Sequence, residues 1–447
     1  MIAKSIFKSY DIRGIYPTEL NKEVAFKIGR GFVGYTKAKT VVVGQDMRLS
    51  SSTLFEALTK GIISQGSDVY NIGEVPTDVM YFTVGHYNYD AGIMITASHN
   101  PKEYNGFKMV KKEEKRIQFI SGKEITDIVK NGIFSKAKKF GEIKKLDIWQ
   151  DYLNHIFSFV EIDKIKPFKV VVDAGNGMAG KTIPQITPRL PFKIIPLNFK
   201  LDGNFPAHPS NPLLEGAADQ ISKKIKKEKA DLGFIFDGDA DRIYLIDELG
   251  NFIRGDITLL LLAKYLLKKY SAKGIAYNLI CSKAVPEFIK KWGGKPIRTP
   301  VGFLNIQKGI IENDGIMGGE ISGHYSFRDN YYSDSGFIAF LILLQIISAS
   351  GKKVSELTKE LSPYAKTAEI NFEVENKEAI LKKIREQFSD GKQDYLDGVT
   401  VEYKDWWFNV RSSQTEPLLR LTIEAENQKL LVQKQKELSS LVINWQK

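Results

Sequence analysis

The chain has 447 residues, 43% hydrophobic and 26% charged, with a formal net charge of +11. That length exceeds a single hydrophobic core and predicts about three or four domains, while the balance of apolar to charged residues excludes a disordered chain. One cysteine, Cys281, excludes an internal disulfide framework and fits a reducing compartment.

Taken from the N-terminus, Met1-Ile2-Ala3-Lys4 runs directly into polar sequence without the apolar core of a secretory signal, so a cytoplasmic protein is expected. Thr40 to Gly44 reads as a β-branched strand and Ser52 to Gly66 as a helix closed by glycine. Strands follow at Asp68 to Ile72 and Ala91 to Thr96, and this alternation predicts βαβ units with a mixed or parallel sheet. The lysine-rich stretch 131–145 lacks apolar periodicity and marks a first boundary. A helix from Asp147 to Phe159 then feeds the strand Phe168 to Val172, and this unit ends at Leu232 to Phe236 with an acidic loop after it. A third unit is expected from about Gly250, with a strand from Ala276 to Cys281 and an apolar helix from Ser335 to Ser350. Cys281, at that strand end among small apolar neighbours, reads as a buried structural thiol.

The apolar runs Ile257 to Ala263 and Phe337 to Ile347 fall short of the roughly 18–20 residues of a membrane span and predict core helices. Ser362-Pro363-Tyr364 is a further break. The last stretch mixes strands (Ala368 to Val374, Trp406 to Val410, Leu418 to Glu424) with a terminal helix, an α+β pattern. The expected domains are therefore 1–145, 146–249, 250–362 and 363–447. Lysines such as those in Ser222 to Lys229 alternate with apolar anchors as on a solvated helix face, and no nucleic-acid motif accompanies the charge.

Four loops carry chemistry. In Phe236-Asp237-Gly238-Asp239-Ala240-Asp241-Arg242 three carboxylates follow a buried strand, and like charges so close call for a cation, Mg²⁺ or Ca²⁺ by the hardness of oxygen ligands. An EF-hand is excluded, because Arg242 stands where its loop turns on glycine and the flanks read as strands. Two alternatives stay open: a phosphatase in which Asp237 or Asp239 attacks phosphorus, and a plain acidic turn. Thr96-Ala97-Ser98-His99-Asn100-Pro101 presents a serine at the carboxyl end of a strand. His99 is not expected to serve Ser98 as a base, since neighbours on an extended segment point opposite ways. Gly318-Gly319-Glu320-Ile321-Ser322-Gly323-His324 permits close backbone approach and offers partners for sugar hydroxyls, or is a polar turn. Arg411-Ser412-Ser413-Gln414-Thr415-Glu416-Pro417, with Arg420, gathers donors suited to a phosphate dianion, or is again a polar turn.

In this order, together with Tyr10-Asp11-Ile12-Arg13-Gly14 and Val172-Asp173-Ala174-Gly175-Asn176-Gly177, the loops resemble the alpha-D-phosphohexomutase superfamily along nearly the whole chain. The resemblance implies three similar α/β domains with mixed sheets plus a smaller α+β C-terminal domain round a central cleft. It implies that Ser98 is carried as phosphoserine and that Asp237, Asp239, Asp241 and a phosphoserine oxygen hold Mg²⁺. Arg13, Lys108 and Arg242 would neutralise the moving phosphoryl group. Glu320, Ser322 and Gly302 would bind sugar, and Arg411, Ser412, Ser413, Gln414, Thr415 and Arg420 the stationary phosphate. The implied partners are small hexose phosphates, with a hexose 1,6-bisphosphate as activator, no nucleic acid and no membrane, in a monomer or homodimer. The loop from Gly319 to His324 with Asp334-Ser335-Gly336 is similar to phosphomannomutases and dual phosphomannomutase/phosphoglucomutases. The runner-up is a phosphoglucosamine mutase, where glutamine usually stands at the place of Ile321. Members often carry a lysine near 299–304, assigned to proton transfer; here Pro300 and Leu304 hold the two positions. That leaves His324 as the expected general acid/base, with Lys308 or Arg298 as stand-ins, and raises an inactive sugar-phosphate binder as a third reading. In the phosphate loop Ser412 replaces a frequent proline and Gln414 a frequent asparagine, and both keep donors.

Overall fold

Short β-branched strands alternating with helices build three mixed sheets and one antiparallel sheet in a computed structural model that describes residues 2–132, 134, 137–413 and 418–445. The first sheet runs Ile12–Ile15, Tyr104–Glu113, Ala91–Ile95, Thr40–Gln45, Asp68–Glu74, Ile143–Lys145, with Arg116–Ile120 on the long second strand. Its centre is parallel and one side antiparallel. The second sheet, Ile243–Ile246, Leu232–Phe236, Val170–Asp173, Ile194–Leu197, repeats the plan on a smaller scale. So does the third, ordered Lys295–Thr299, Gly274–Asn278, Gly315–Gly319, Tyr325–Phe327, Ser333–Asp334. The fourth is antiparallel throughout, with the helix Gln428–Trp445 behind it.

One apolar cluster joins the first three units. It runs from Val42 and Phe82 through Tyr152 and Phe234 to Phe340 and Leu361, whereas the C-terminal unit has its own core. The connecting piece is the helix Gly336–Ser350. Ser335 caps it, its Oγ accepting the Ile338 N–H at 3.2 Å, and Gly351 ends it in the left-handed region. This helix packs on the second sheet, Phe340 edge-on to Phe234 at 4.9 Å and Phe337 stacked on Phe236 at 5.2 Å. Burying one such ring contributes on the order of 1.5–3 kcal/mol. The helix Gly255–Lys269 is buried likewise, so both apolar runs are core helices. Among the described residues no single helix is long and apolar enough to cross a membrane, and the one candidate pair bends through 94°.

One expectation changes. The strand expected through Cys281 ends at Asn278, and Leu279 to Cys281 form a turn in which the thiol donates to Asn278 Oδ1 at 3.1 Å. The thiol is buried, and burial pushes its pKa up, as for an inert structural cysteine. The lysines of the helix Asp219–Glu228 stand at the surface while Ile221 and Ile225 are buried, as the alternation predicts.

Candidate active site

Strand ends and hairpin loops from all four units converge. Leu232–Phe236 and Ile243–Ile246 form an antiparallel hairpin, and its turn carries Asp237, Asp239 and Asp241, all buried. One ligand atom from each lies within 4.8 Å of the others. Burial, then Asp239 and Asp241, push Asp237 up to about 7. Oδ1 of Asp239 and of Asp241 are buried without a hydrogen-bond partner. A set of hard oxygens with lone pairs turned to no donor is what a divalent cation fits. Burial would also raise Asp241, but Lys108, His324 and Arg242 outweigh it and hold that carboxyl below its usual range.

The first unit brings the positive charge. Lys108, in the strand Tyr104–Glu113, donates to Asp239 Oδ2 at 2.7 Å and to Asp241 Oδ2. Burial disfavours the ammonium, but Asp239 and Asp241 overcome that and hold its pKa above the ordinary value. Arg13 leaves Ile12–Ile15 with its Nε 2.8 Å from Asp11 Oδ2, and it also donates to Ala97 O and Asn100 Oδ1 in the serine loop. Ser98 follows Ala91–Ile95, fully buried, and its Oγ donates to Asp237 Oδ2 at 3.0 Å. Its φ of +50° is left-handed, a conformation that costs a non-glycine residue roughly 1–2 kcal/mol. This turn changes the geometry assumed for His99. Because Ser98 is not extended, His99 Nδ1 comes to 3.3 Å from Ser98 Oγ. Burial, then Arg242 and Arg13, hold His99 well below its usual pKa, so the ring is neutral.

The second and third units are stitched together at the site. Arg242 and His324 form an isolated β-bridge, and the Ile243 N–H donates to Gly323 O at 3.2 Å. Arg242 Nε donates to His324 Nε2 at 2.9 Å, and Nδ1 of the same ring lies 2.6 Å from Asp334 Oδ2. Phe303 stacks on the imidazole at 5.6 Å. Burial opposes the imidazolium, but Asp241 and Asp334 raise His324 above its usual pKa. Glu320 accepts from the Gly302 N–H at 2.7 Å, from Asn278 Nδ2 at 3.0 Å and from Ser322 Oγ at 3.1 Å. Gly302 has φ +122°, and a Cβ there would lie 2.3 Å from the Tyr10 hydroxyl, so only glycine fits. Lys308 and Arg298, the two stand-ins, lie away from this cluster: Lys308 is exposed beside Glu312, and Arg298 pairs with Asp394 at 3.0 Å.

In the fourth unit Arg411 and Ser412 end the strand Trp406–Ser412, and the Ser413 N–H donates to Leu418 O. Arg411 pairs with Glu369, as does Arg420 at 3.0 Å. Gln414 and Thr415 lie outside the described residues. Tyr10 ties the parts together. Its hydroxyl donates to Val301 O at 3.3 Å, and its pKa is pushed up to about 12 by burial, Glu320 and Asp397, against Arg411 and Arg420.

Four domain matches in order decide the family. The chain matches the phosphoglucomutase/phosphomannomutase alpha/beta/alpha domain I over residues 4–136, domain II over 150–250, domain III over 254–364 and the C-terminal domain over 369–439. The chain belongs to the phosphoglucomutase/phosphomannomutase family. It is 39% identical over 444 residues to a phosphomannomutase of Methanocaldococcus jannaschii, covering 98% of this chain and 97% of that one. It is 37% identical to a phosphomannomutase of Vibrio cholerae, covering 98% of both. A solved phosphoglucomutase/phosphomannomutase family protein of Burkholderia thailandensis superimposes with a TM-score of 0.90 at 32% identity, over 99% of this chain and 98% of that one. The protein is thus a phosphohexomutase, an isomerase that moves a phosphoryl group.

Two groups in this phosphohexomutase site carry no local sequence signal. Thr77 Oγ1 donates to Asp239 Oδ2 from another unit, and Asn278 Nδ2 donates to Glu320. Each is an ordinary polar residue until the fold brings it across.

Proposed function

We propose that this phosphohexomutase interconverts mannose 6-phosphate and mannose 1-phosphate, acts on glucose phosphates as well, and carries the phosphoryl group on Ser98. The observation that carries the reading is the buried Ser98 Oγ, 3.0 Å from Asp237, with Lys108 and Arg13 against the same loops. Phosphoryl transfer requires positioning and charge neutralisation above all, and this arrangement supplies both.

In the proposed cycle Asp237, Asp239 and Asp241 would hold Mg²⁺ beside the phosphorylated Ser98. When bound, the ion draws charge from phosphorus and steadies the serine oxygen as it leaves. Arg13, Lys108 and Arg242 balance the charge on the group in flight. Glu320, Ser322 and Gly302 orient the sugar, and the loop from Arg411 to Arg420 grips the phosphate that stays. A sugar hydroxyl attacks phosphorus, the bond to Ser98 Oγ breaks, and a hexose 1,6-bisphosphate forms. It turns over in the cleft and returns its other phosphoryl group to Ser98. His324 takes the hydroxyl proton on Nε2 once Arg242 turns to phosphate, with Asp334 holding the far side of the ring. The free, buried Cys281 fits a reducing, cytoplasmic setting.

The test is a coupled assay of mannose 1-phosphate conversion with wild type and Ser98→Ala. The reading expects isomerisation by wild type and a loss of about 10⁴-fold or more in the variant. A variant that still releases inorganic phosphate from sugar phosphates would point instead to an aspartate-nucleophile hydrolase. A faster wild-type turnover of glucosamine phosphates would reassign the sugar.

A further inference from the structure

The serine loop is held from behind by two side chains that the cycle above does not use. Asp46 and Arg48 follow the strand Thr40–Gln45, and neither side chain is accessible to solvent. Arg48 Nη1 donates to Pro101 O at 2.8 Å and to Tyr104 O at 3.0 Å. Its Nη2 donates to Ser98 O and Asn100 O, both at 2.7 Å. Four carbonyls of one loop thus converge on a single guanidinium, and a lysine ammonium has neither the fork nor the donors to replace it.

Asp46 completes the arrangement. Its carboxylate lies 3.3 Å from Arg48 Nε and accepts from Ser51 Oγ at 2.7 Å and from the Arg48 N–H at 3.0 Å. Thr96 Oγ1 accepts the Ser98 N–H at 2.8 Å. The C=O of Ser98 is therefore held by this buried ion pair, and its N–H by Thr96. The opposite side of the Ser98 carbonyl is closed by Gly238, where a Cβ would come within 2.6 Å of that oxygen. Among the described residues neither Asp46 nor Arg48 hydrogen-bonds Ser98 Oγ, the three aspartates, Glu320 or Arg411.

We infer that Asp46 and Arg48 are positioning residues that set the left-handed turn at Ser98 and so aim its Oγ at Asp237. The inference rests on the reading of Ser98 as phosphoryl carrier. Its consequence is a split between binding and transfer. Sugar and stationary phosphate are held by loops that Arg48 does not touch, so loosening the serine loop slows transfer without weakening substrate affinity.

The test compares wild type with Arg48→Lys, which keeps the charge, and with Thr96→Val, which removes only the acceptor of the Ser98 N–H. Three quantities are measured: the thermal midpoint, the affinity for mannose 6-phosphate by calorimetry, and the rate at which a hexose 1,6-bisphosphate phosphorylates Ser98. The expected result for Arg48→Lys is affinity within about twofold of wild type and phosphorylation at least 100-fold slower. For Thr96→Val a slowing of about tenfold is expected, and that variant decides the matter if Arg48→Lys does not fold. Phosphorylation at the wild-type rate in a folded variant overturns the inference, as does an equal loss of affinity and rate. A wild type that takes no phosphate on Ser98 overturns the carrier reading itself, and the positioning role falls with it.

Discussion

At the scale of single residues, the acidic loop is the place where charge is most concentrated and most carefully compensated. Lys108 occupies Oδ2 of both Asp239 and Asp241, which leaves their Oδ1 atoms to a metal ion. Thr77 fixes the rotation of the Asp239 carboxylate, since its hydroxyl donates to Oδ2 and its N–H to the Asp239 carbonyl. Groups that orient a metal ligand typically account for 10–100-fold in metal affinity. Thr77→Val should therefore raise the Mg²⁺ concentration for half-maximal activity by about that factor, with little change in the maximum reached. A Mg²⁺ titration checks this, and an unchanged midpoint would contradict it. The triple aspartate was legible in the sequence because all three ligands are local to one turn. Thr77 was not, because 162 residues separate it from Asp239. For His99 the expectation rests on extended backbone, whereas the left-handed turn at Ser98 brings the two side chains together.

At the scale of elements, the helix Gly336–Ser350 shows why pattern reading placed the pieces well and their partners poorly. An unbroken apolar run with a serine before it and a glycine after it marks a buried helix from end to end. Nothing in the run says that it packs against the second sheet, through Phe234 and Phe236, and not only within its own unit. Such contacts couple the two units. Phe340→Ala should cost about 3–5 kcal/mol. The loss should appear in a single denaturant transition that fluorescence and far-UV circular dichroism report together, whereas two separated transitions would show the units to be independent. The C-terminal sheet differs, since its core is its own. There the sequence names three of the six strands and the arginines of the loop proposed to grip phosphate, but not Glu369, which gathers Arg411 and Arg420 across the sheet.

At the scale of the whole molecule, the first three units meet at one buried carboxyl. Asp78, on the helix Thr77–His86, accepts from Tyr152 at 2.8 Å and from Ser335 at 2.5 Å, two residues far along the chain. Burial pushes its pKa up to about 7, against the two hydrogen bonds and with help from Asp241 and Asp334. In the unfolded chain the same group titrates near 4. Between these values the folded state binds the extra proton, so stability falls as pH rises from about 4 to about 7 and is flat beyond. Asp78→Asn keeps an acceptor for Tyr152 or Ser335 and removes the titration. It should be more stable than wild type at pH 8, by up to roughly 4 kcal/mol, and should lose the advantage toward pH 4. Denaturation at both pH values checks the sign, and a variant less stable at pH 8 would contradict it. The general plan, three α/β units and a smaller C-terminal one round a cleft, was legible because each unit alternates strands with helices in its own stretch of chain and places its functional loop at a strand end. The junctions were not, since they are made by single polar side chains from distant segments. The account turns on Ser98. The most direct measurement is peptide mass mapping of the purified protein after incubation with a hexose 1,6-bisphosphate and Mg²⁺. The result predicted is one added phosphoryl group on the peptide bearing Ser98, absent in Ser98→Ala. Phosphate found on another residue, or on none, would contradict the account.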